Sequence, residues 1–268
     1  MVKTGNYNFL EDLRGVWQHR ELLYFLTQRE LEVRYKQAFF GIAWAIITPL
    51  SQAVIFALIF GVFLKVSSGP TPYLLLVFSG LSFWNFFSQS ITMATFALTG
   101  NYNLVTKSVF PKEILVISTV LARVPDLLFS FVVLLAMMFY YHQGLSLAAL
   151  WVIPTFIIEV ILTLGLGLFF AATNVFYRDV TALAPLLLML WMYLTPIVYP
   201  LSSVPVHFRL LLSLNPMTGI ISAIRSGLLM RQSPDLLLLA FSLVLTAAIF
   251  IVSYLQFKKS EKGFADII

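Results

Sequence analysis

The chain contains no cysteine, so neither disulfide bonds nor thiolate metal sites are open to it. Charge is scarce as well: Asp, Glu, Lys and Arg make up 11% of the residues, where soluble domains carry about 25%. Only three histidines occur, His19, His142 and His207, and none belongs to an H-E-x-x-H pattern. The G-x-S-x-G elbow, an Asp-rich metal signature and the G-x-x-x-x-G-K-[ST] phosphate loop are missing too. Catalysis is therefore poorly supplied, and any nucleotide chemistry has to come from another chain. Period-two alternation is also absent, which argues against a β-barrel.

What the chain has is apolar length. Hydrophobic residues reach 60%, and a hydrocarbon core of about 30 Å needs roughly 20 helical residues to cross it. Six stretches qualify: Phe39 to Leu64, Tyr73 to Leu98, Ile114 to Tyr140, Leu147 to Ala172, Thr181 to Tyr199 and Leu236 to Phe257. Backbone facing lipid must satisfy its own hydrogen bonds, so these read as helices. The expected fold is an all-α integral membrane protein with six transmembrane helices. Residues 1–38 read as a cytoplasmic interfacial segment, and 39–268 as a single transmembrane domain with a cytoplasmic tail at 258–268.

Lys and Arg set the expected orientation. Twelve precede the first stretch or lie in the even-numbered links and the tail, including Arg34, Lys107, Arg178 and Lys258; four, Lys65, Arg209, Arg225 and Arg231, lie in the opposite links. By the positive-inside rule both termini are cytoplasmic. The first 38 residues lack the pattern of a signal peptide, so the first spanning helix is expected to act as its own insertion signal. The basic residues are scattered over separate loops, so the net charge of +5 reads as topology and no nucleic-acid partner is expected.

Two segments fit the membrane surface better than its core. From Asn8 to Lys36, Phe9, Leu10, Leu13, Val16 and Trp17 recur at helical spacing among charges, with Asn8 and Glu11 placed as a capping pair. The segment reads as helices on the membrane surface, the alternative being a helix packed on a partner. Between Pro200 and Ser233, the apolar runs Val206 to Leu214 and Met217 to Met230 are too short to span and suit re-entrant half-helices on the outer side.

Polar residues inside the apolar stretches are the candidate site. Asn85, Ser88, Gln89, Thr92, Thr95 and Thr99 share one face of the second helix, serving either as helix-packing glue or as a channel lining. Pro49 should bend the first helix by removing the bond to Ala45. Arg123, Asp126 and Glu159 lie at membrane depth, where an unpaired charge is costly. Arg123 and Glu159 come to similar depth, so they are expected to form an intramembrane ion pair.

The run R-E-L-L-Y-F-L-T-Q-R-E-L-E-V-R-Y-K-Q-A-F-F-G-I-A-W, Arg20 to Trp44, resembles the entry to the first helix in polysaccharide-export permeases of ABC transporters. N-L-V-T-K-S-V-F-P-K-E (Asn103 to Glu113), N-V-F-Y-R-D-V (Asn174 to Val180), T-P-I-V-Y-P (Thr195 to Pro200) and L-N-P-M-T (Leu214 to Thr218) follow in the same order. One departure is Val116 to Ser118, where many relatives carry a proline. The resemblance implies the ABC-2 type exporter fold: a homodimer bound to two copies of a separate ATPase subunit that holds ATP and Mg2+, in the bacterial cytoplasmic (inner) membrane. It implies a lipid-linked glycan substrate, of O-antigen, capsule or teichoic acid type, with drugs or lipids as the alternative cargo. It also implies an external gate within Val206 to Met230 and ATPase coupling through Asn103, Lys107, Phe110, Pro111, Lys112 and Glu113. Tyr35, Phe39, Phe40, Trp44, Asn85 and Gln89 are the candidate channel residues. Arg29, Arg34 and Lys36 are the candidates to receive a lipid diphosphate, the alternative being anchoring to anionic headgroups. No cofactor or metal is expected in this chain itself.

Overall fold

The computed structural model describes residues 9–36, 41–66 and 71–267, and these are helical with short links. Two helices, α1 (Phe9–Gln18) and α2 (Arg20–Tyr35), precede the bundle. Then come α3 (Trp44–Phe56, running on through Phe63), α4 (Tyr73–Phe96), α5 (Tyr102–Lys107), α6 (Glu113–Leu121) and α7 (Val124–Tyr140). The second half holds α8 (Val152–Phe176), α9 (Val180–Tyr193), α10 (Val206–Ser213), α11 (Pro216–Leu228), α12 (Leu236–Glu261) and the short α13 (Phe264–Ile267). Five helical stretches among the described residues are long and apolar enough to cross a membrane: Trp44–Phe63, Tyr73–Phe96, Glu113–Tyr140, Leu147–Phe176 and Leu236–Glu261. The chain is a multi-pass membrane protein.

Each interruption has a local cause. Pro49 has no N–H to offer Ala45, and the freed carbonyl of Ala45 accepts instead from Ser130 Oγ of α7 at 2.9 Å. Pro125, in the first turn of α7, similarly cannot continue the ladder from α6, so the third crossing breaks around Ala122 and Arg123. The expected span Thr181 to Tyr199 stops at Tyr193, since Pro196 cannot extend it. At 14 residues α9 reaches only about 21 Å. Beyond it, buried Arg225 of α11 donates to the carbonyls of Pro196 (2.6 Å), Ile197 and Leu76 (2.9 Å), tying the turn after α9 to the start of α4. Helix α11 starts cleanly because the Asn215 side chain accepts from Met217 N–H and Pro216 follows.

The centre of the bundle is α4, 78% of whose most apolar window is buried, against 11% for the α3 stretch. Phe78, Leu81, Phe87 and Ile91 of α4 lie in the main core. Helices α8 and α12 pack so tightly that a Cβ on Gly165 would come within 2.9 Å of Phe250 Cα. By contrast α3 exposes Val54, Ile55, Leu58 and Val62, and α9 exposes Leu183, Leu186 and Leu190. Such faces require lipid or another protein surface.

The surface segment packs on its own bundle. Phe9 meets the rings of Phe250 and Tyr254, and α2 runs against α6 with Leu26 buried. Trp17, Tyr24, Phe25 and Val33 stay exposed on the other side, which keeps the amphipathic character read from sequence. Asn8, the expected cap, lies outside the described residues.

Candidate functional site

A cavity of about 270 Å3 opens between α2, α3, α4 and α7. Its walls combine Tyr35, Trp44 and Phe86 with the polar groups of Thr48, Ser82, Asn85, Gln89 and Ser130, and with Arg34, Arg123 and Asp126. A second cavity of about 300 Å3, on the α9 side, shares Asn85, Gln89 and Arg123 with it and adds Gln52, Ser88 and Thr92. The upper polar stripe of α4 thus faces space. Lower down, Asn174 of α8 donates to Thr95 O (3.0 Å) and Thr99 Oγ1 (3.2 Å), which binds helix to helix, while Thr99 and Asn174 also edge a third cavity beside Tyr102 and Arg178.

The charges in the first cavity form one network. Asp126 accepts from Arg34 Nη1 at 3.0 Å, from Arg123 Nη1 at 3.1 Å and from the hydroxyl of Tyr35. Arg34 also donates to Ala122 O at 3.0 Å, a carbonyl at the break between α6 and α7. Arg123 donates to Gln89 Oε1 at 2.7 Å, and Asn85 donates to Gln52 Oε1 at 3.0 Å. Burial lowers the pKa of Arg34 from its ordinary value, opposed by the attraction of Asp126 and Glu30. Two guanidiniums around one carboxylate leave the cavity floor with one positive charge in excess.

This arrangement corrects the expected ion pair. Arg123 is held by Asp126 and Gln89, while both carboxylate oxygens of the fully buried Glu159 find no hydrogen-bond partner among the described residues. Depth along two helix axes says nothing about azimuth, and Arg123 and Glu159 point to different neighbours. The better signal was the three-residue spacing of Arg123 and Asp126, which places them together on a helix face.

The candidate channel set is partly assembled: Tyr35, Trp44, Asn85 and Gln89 line the same cavity, whereas Phe39 and Phe40 lie outside the described residues. The candidate diphosphate set splits. Arg34 lies in the cavity wall, Arg29 donates to Asn101 Oδ1 at 2.7 Å and contacts Glu30, and Lys36 is exposed at the end of α2.

The candidate coupling segment divides as well. Asn103 and Lys107 are exposed on α5, and Val109 protrudes completely. Phe110 instead turns inward to the core under α5 and α6, so the apolar knob of this loop is Val109. Lys112 Nζ folds back to Ser108 O at 2.6 Å and over the Phe110 ring at 4.3 Å; burial lowers its pKa, opposed by the charge of Glu261. Glu113 is buried and meets Lys258 at 2.7 Å, so it is not an exposed contact.

Among the described residues the chain is a helical membrane bundle with cavities along a central polar stripe and a cluster of short helices after α9, an architecture that fits a transport-type membrane protein. The family model for ABC-2 type transporters matches residues 21–229, and the chain belongs to that family. It is 32% identical over 253 residues to an O-antigen export system permease protein RfbA of Klebsiella pneumoniae, covering 92% of this chain and 95% of that one. An RfbA of Myxococcus xanthus is 30% identical over 225 residues, 83% of this chain and 86% of that one. The polysialic acid transport protein KpsM of Escherichia coli is 23% identical over 209 residues, 76% and 80% of the respective chains.

Proposed function

We propose that this chain is the permease subunit of an ATP-driven exporter that moves a lipid-linked polysaccharide across the bacterial cytoplasmic membrane. Its similarity along nearly the full length to permeases named for O-antigen export supports the cargo class. The observation that carries the reading is the composition of the cavity on α4. Aromatic rings at Tyr35, Trp44 and Phe86 offer faces for sugar rings, the amides of Asn85 and Gln89 offer edges for hydroxyls, and Arg34 and Arg123 offer charge for an anionic link. A drug or lipid exporter would favour an apolar cavity.

In this reading two copies pair, with α3 as one face that the pairing covers, and two ATPase subunits bind on the cytoplasmic side. Both termini are cytoplasmic, residues 1–38 lie at the inner surface, and residues 39–268 form the membrane domain. The α9 helix and the turn held by Arg225 make the fifth of six crossings, and α10 and α11 re-enter from outside as the gate. ATP binding and hydrolysis in the partner displace the loop from Asn101 to Glu113, with Val109 seated on that partner. The two permease copies then open a path along the polar face of α4, and the partner supplies the ATP and Mg2+.

The test uses cells whose own O-antigen permease is deleted, supplied with this chain and its ATPase. Restored surface polysaccharide, lost again in a Trp44→Ala, Asn85→Ala variant that accumulates normally, is the expected result. Efflux of a drug or phospholipid without any surface glycan would replace this reading with the alternative cargo.

A further inference from the structure

Counted along the sequence, Lys258 is one of three topology charges at the end of the chain. Its surroundings give it another role. The ammonium lies 2.7 Å from Glu113 Oε1, 3.2 Å from Glu261 Oε2 and 3.3 Å from Asp12 Oδ1, with the Lys258 and Glu113 side chains 8% and 5% exposed. The three carboxylates come from different places: Asp12 from α1, Glu113 from the first residue after the α5–α6 loop, and Glu261 from the last turn of α12. Tyr254 of α12 donates its hydroxyl to Asp12, and the backbone N–H of Lys112 donates to Glu261 at 3.3 Å. The only other cation on the loop beside the cluster, the Lys112 ammonium, is turned away to Ser108 and Leu104 carbonyls. Pro111 of the loop lies against α1, in ordinary contact range of a Cβ placed on Gly15.

One ammonium among three carboxylates is an asymmetric arrangement. Without it, the buried Glu113 and its two neighbours repel one another in a place where water screens them poorly. The cluster therefore stays closed only while α1, the loop and the end of α12 keep their relative positions. Farther along, α12 packs against the outer half-helix α11, where a Cβ on Gly219 would come within 2.9 Å of Leu238 O. A displacement of the end of α12 thus has a packed route to the outer helices.

We propose that Lys258 is a positioning residue for energy coupling: it binds the α5–α6 loop, α1 and α12 into one moving body, so that a push on the loop reaches α12 as well as α6. The inference rests on the reading of that loop as the ATPase contact.

The experiment uses the full permease with its ATPase subunit, measuring ATP hydrolysis and glycan exported per ATP. Lys258→Met is expected to assemble and hydrolyse ATP but to export roughly tenfold less per ATP, within the usual range of site-to-site coupling. Exchanging the two charges, Lys258→Glu with Glu113→Lys, keeps one ammonium among three carboxylates and is expected to restore most of the loss. Wild-type export per ATP from Lys258→Met would overturn the proposal, as would an exchange variant that accumulates yet remains as defective as the single one. Should Lys258→Met fail to accumulate, the exchange variant decides by the same readout; failure of both to accumulate would assign Lys258 to folding alone and also overturn it. Crosslinking from Val109→Cys to the ATPase checks the underlying reading by itself. No crosslink removes that reading, whereas a crosslink together with unimpaired Lys258→Met removes only the role of Lys258.

Discussion

Replacing Asp126 by Ala takes the common acceptor away from Arg34, Arg123 and Tyr35 at once. The side chains of Arg34 and Arg123 are 18% and 13% exposed, so the two guanidiniums left behind are mostly desolvated. Removing one partner of a buried pair costs about 3 to 5 kcal/mol. Here the cavity admits some water, and each arginine keeps a second acceptor, Ala122 O or Gln89 Oε1. The loss should therefore fall near the low end, about 3 kcal/mol. Purified protein in detergent, denatured by heat or by a denaturing detergent, gives the measurement through double-mutant cycles. Asp126→Ala combined with Arg34→Gln, and separately with Arg123→Gln, should show coupling of roughly 1 kcal/mol or more. Arg123→Gln combined with Glu159→Gln should be additive to within about 0.5 kcal/mol, because the two groups have separate neighbours. Additivity in the Asp126 cycles, or strong coupling between Arg123 and Glu159, would refute this assignment of partners.

Because the native chain has no cysteine, single introduced cysteines report topology cleanly; those at Gln143 and Ser203 should react with an impermeant reagent from outside, and those at Lys107 and Lys259 should not. Ser130→Ala should cost about 1 kcal/mol by stranding the carbonyl of Ala45, and much less in a Pro49→Ala background, where the helix ladder can reclaim it; denaturation midpoints of the four proteins test this. Gly165→Val should force α8 from α12 and destabilise by roughly 1 to 3 kcal/mol, read as a lower melting temperature and reduced accumulation.

The crossings were legible because a run of about 20 apolar residues has few other uses. Four of the five long spans fall within a few residues of their expected ends, and the first begins at Trp44 after the 3-10 turn Gly41–Ala43, its expected start at Phe39 lying outside the described residues. The fifth stretch was over-read: hydropathy continues past Tyr193, while Pro196 ends the helix, and apolarity carries no record of a missing N–H. The polar stripe on α4 stayed open between packing and lining, since a helical face does not say whether a neighbour stands opposite; in the fold Asn85, Ser88, Gln89 and Thr92 line cavities while Asn174 of α8 meets Thr95 and Thr99. Arg225 and Lys258 were counted as loop and tail charges. Their roles depend on carbonyls and carboxylates distant in sequence, such as Leu76 for Arg225 and Asp12 for Lys258, which only the folded chain brings near. Phe110 is the large apolar residue of its loop, yet that same size half-buries it against the core and leaves the smaller Val109 outside.

The central claim is that this chain forms the path for a glycan driven by ATP hydrolysed in another subunit. Proteoliposomes containing the purified permease and its ATPase, loaded with a lipid-linked O-antigen-type polysaccharide labelled on the outward-facing ATPase side, measure it directly. ATP should carry the label into the lumen, with no transfer from the permease alone and little from a Trp44→Ala, Asn85→Ala variant. ATP hydrolysis that continues without any lumenal glycan, while a labelled drug or phospholipid is moved instead, would contradict the account.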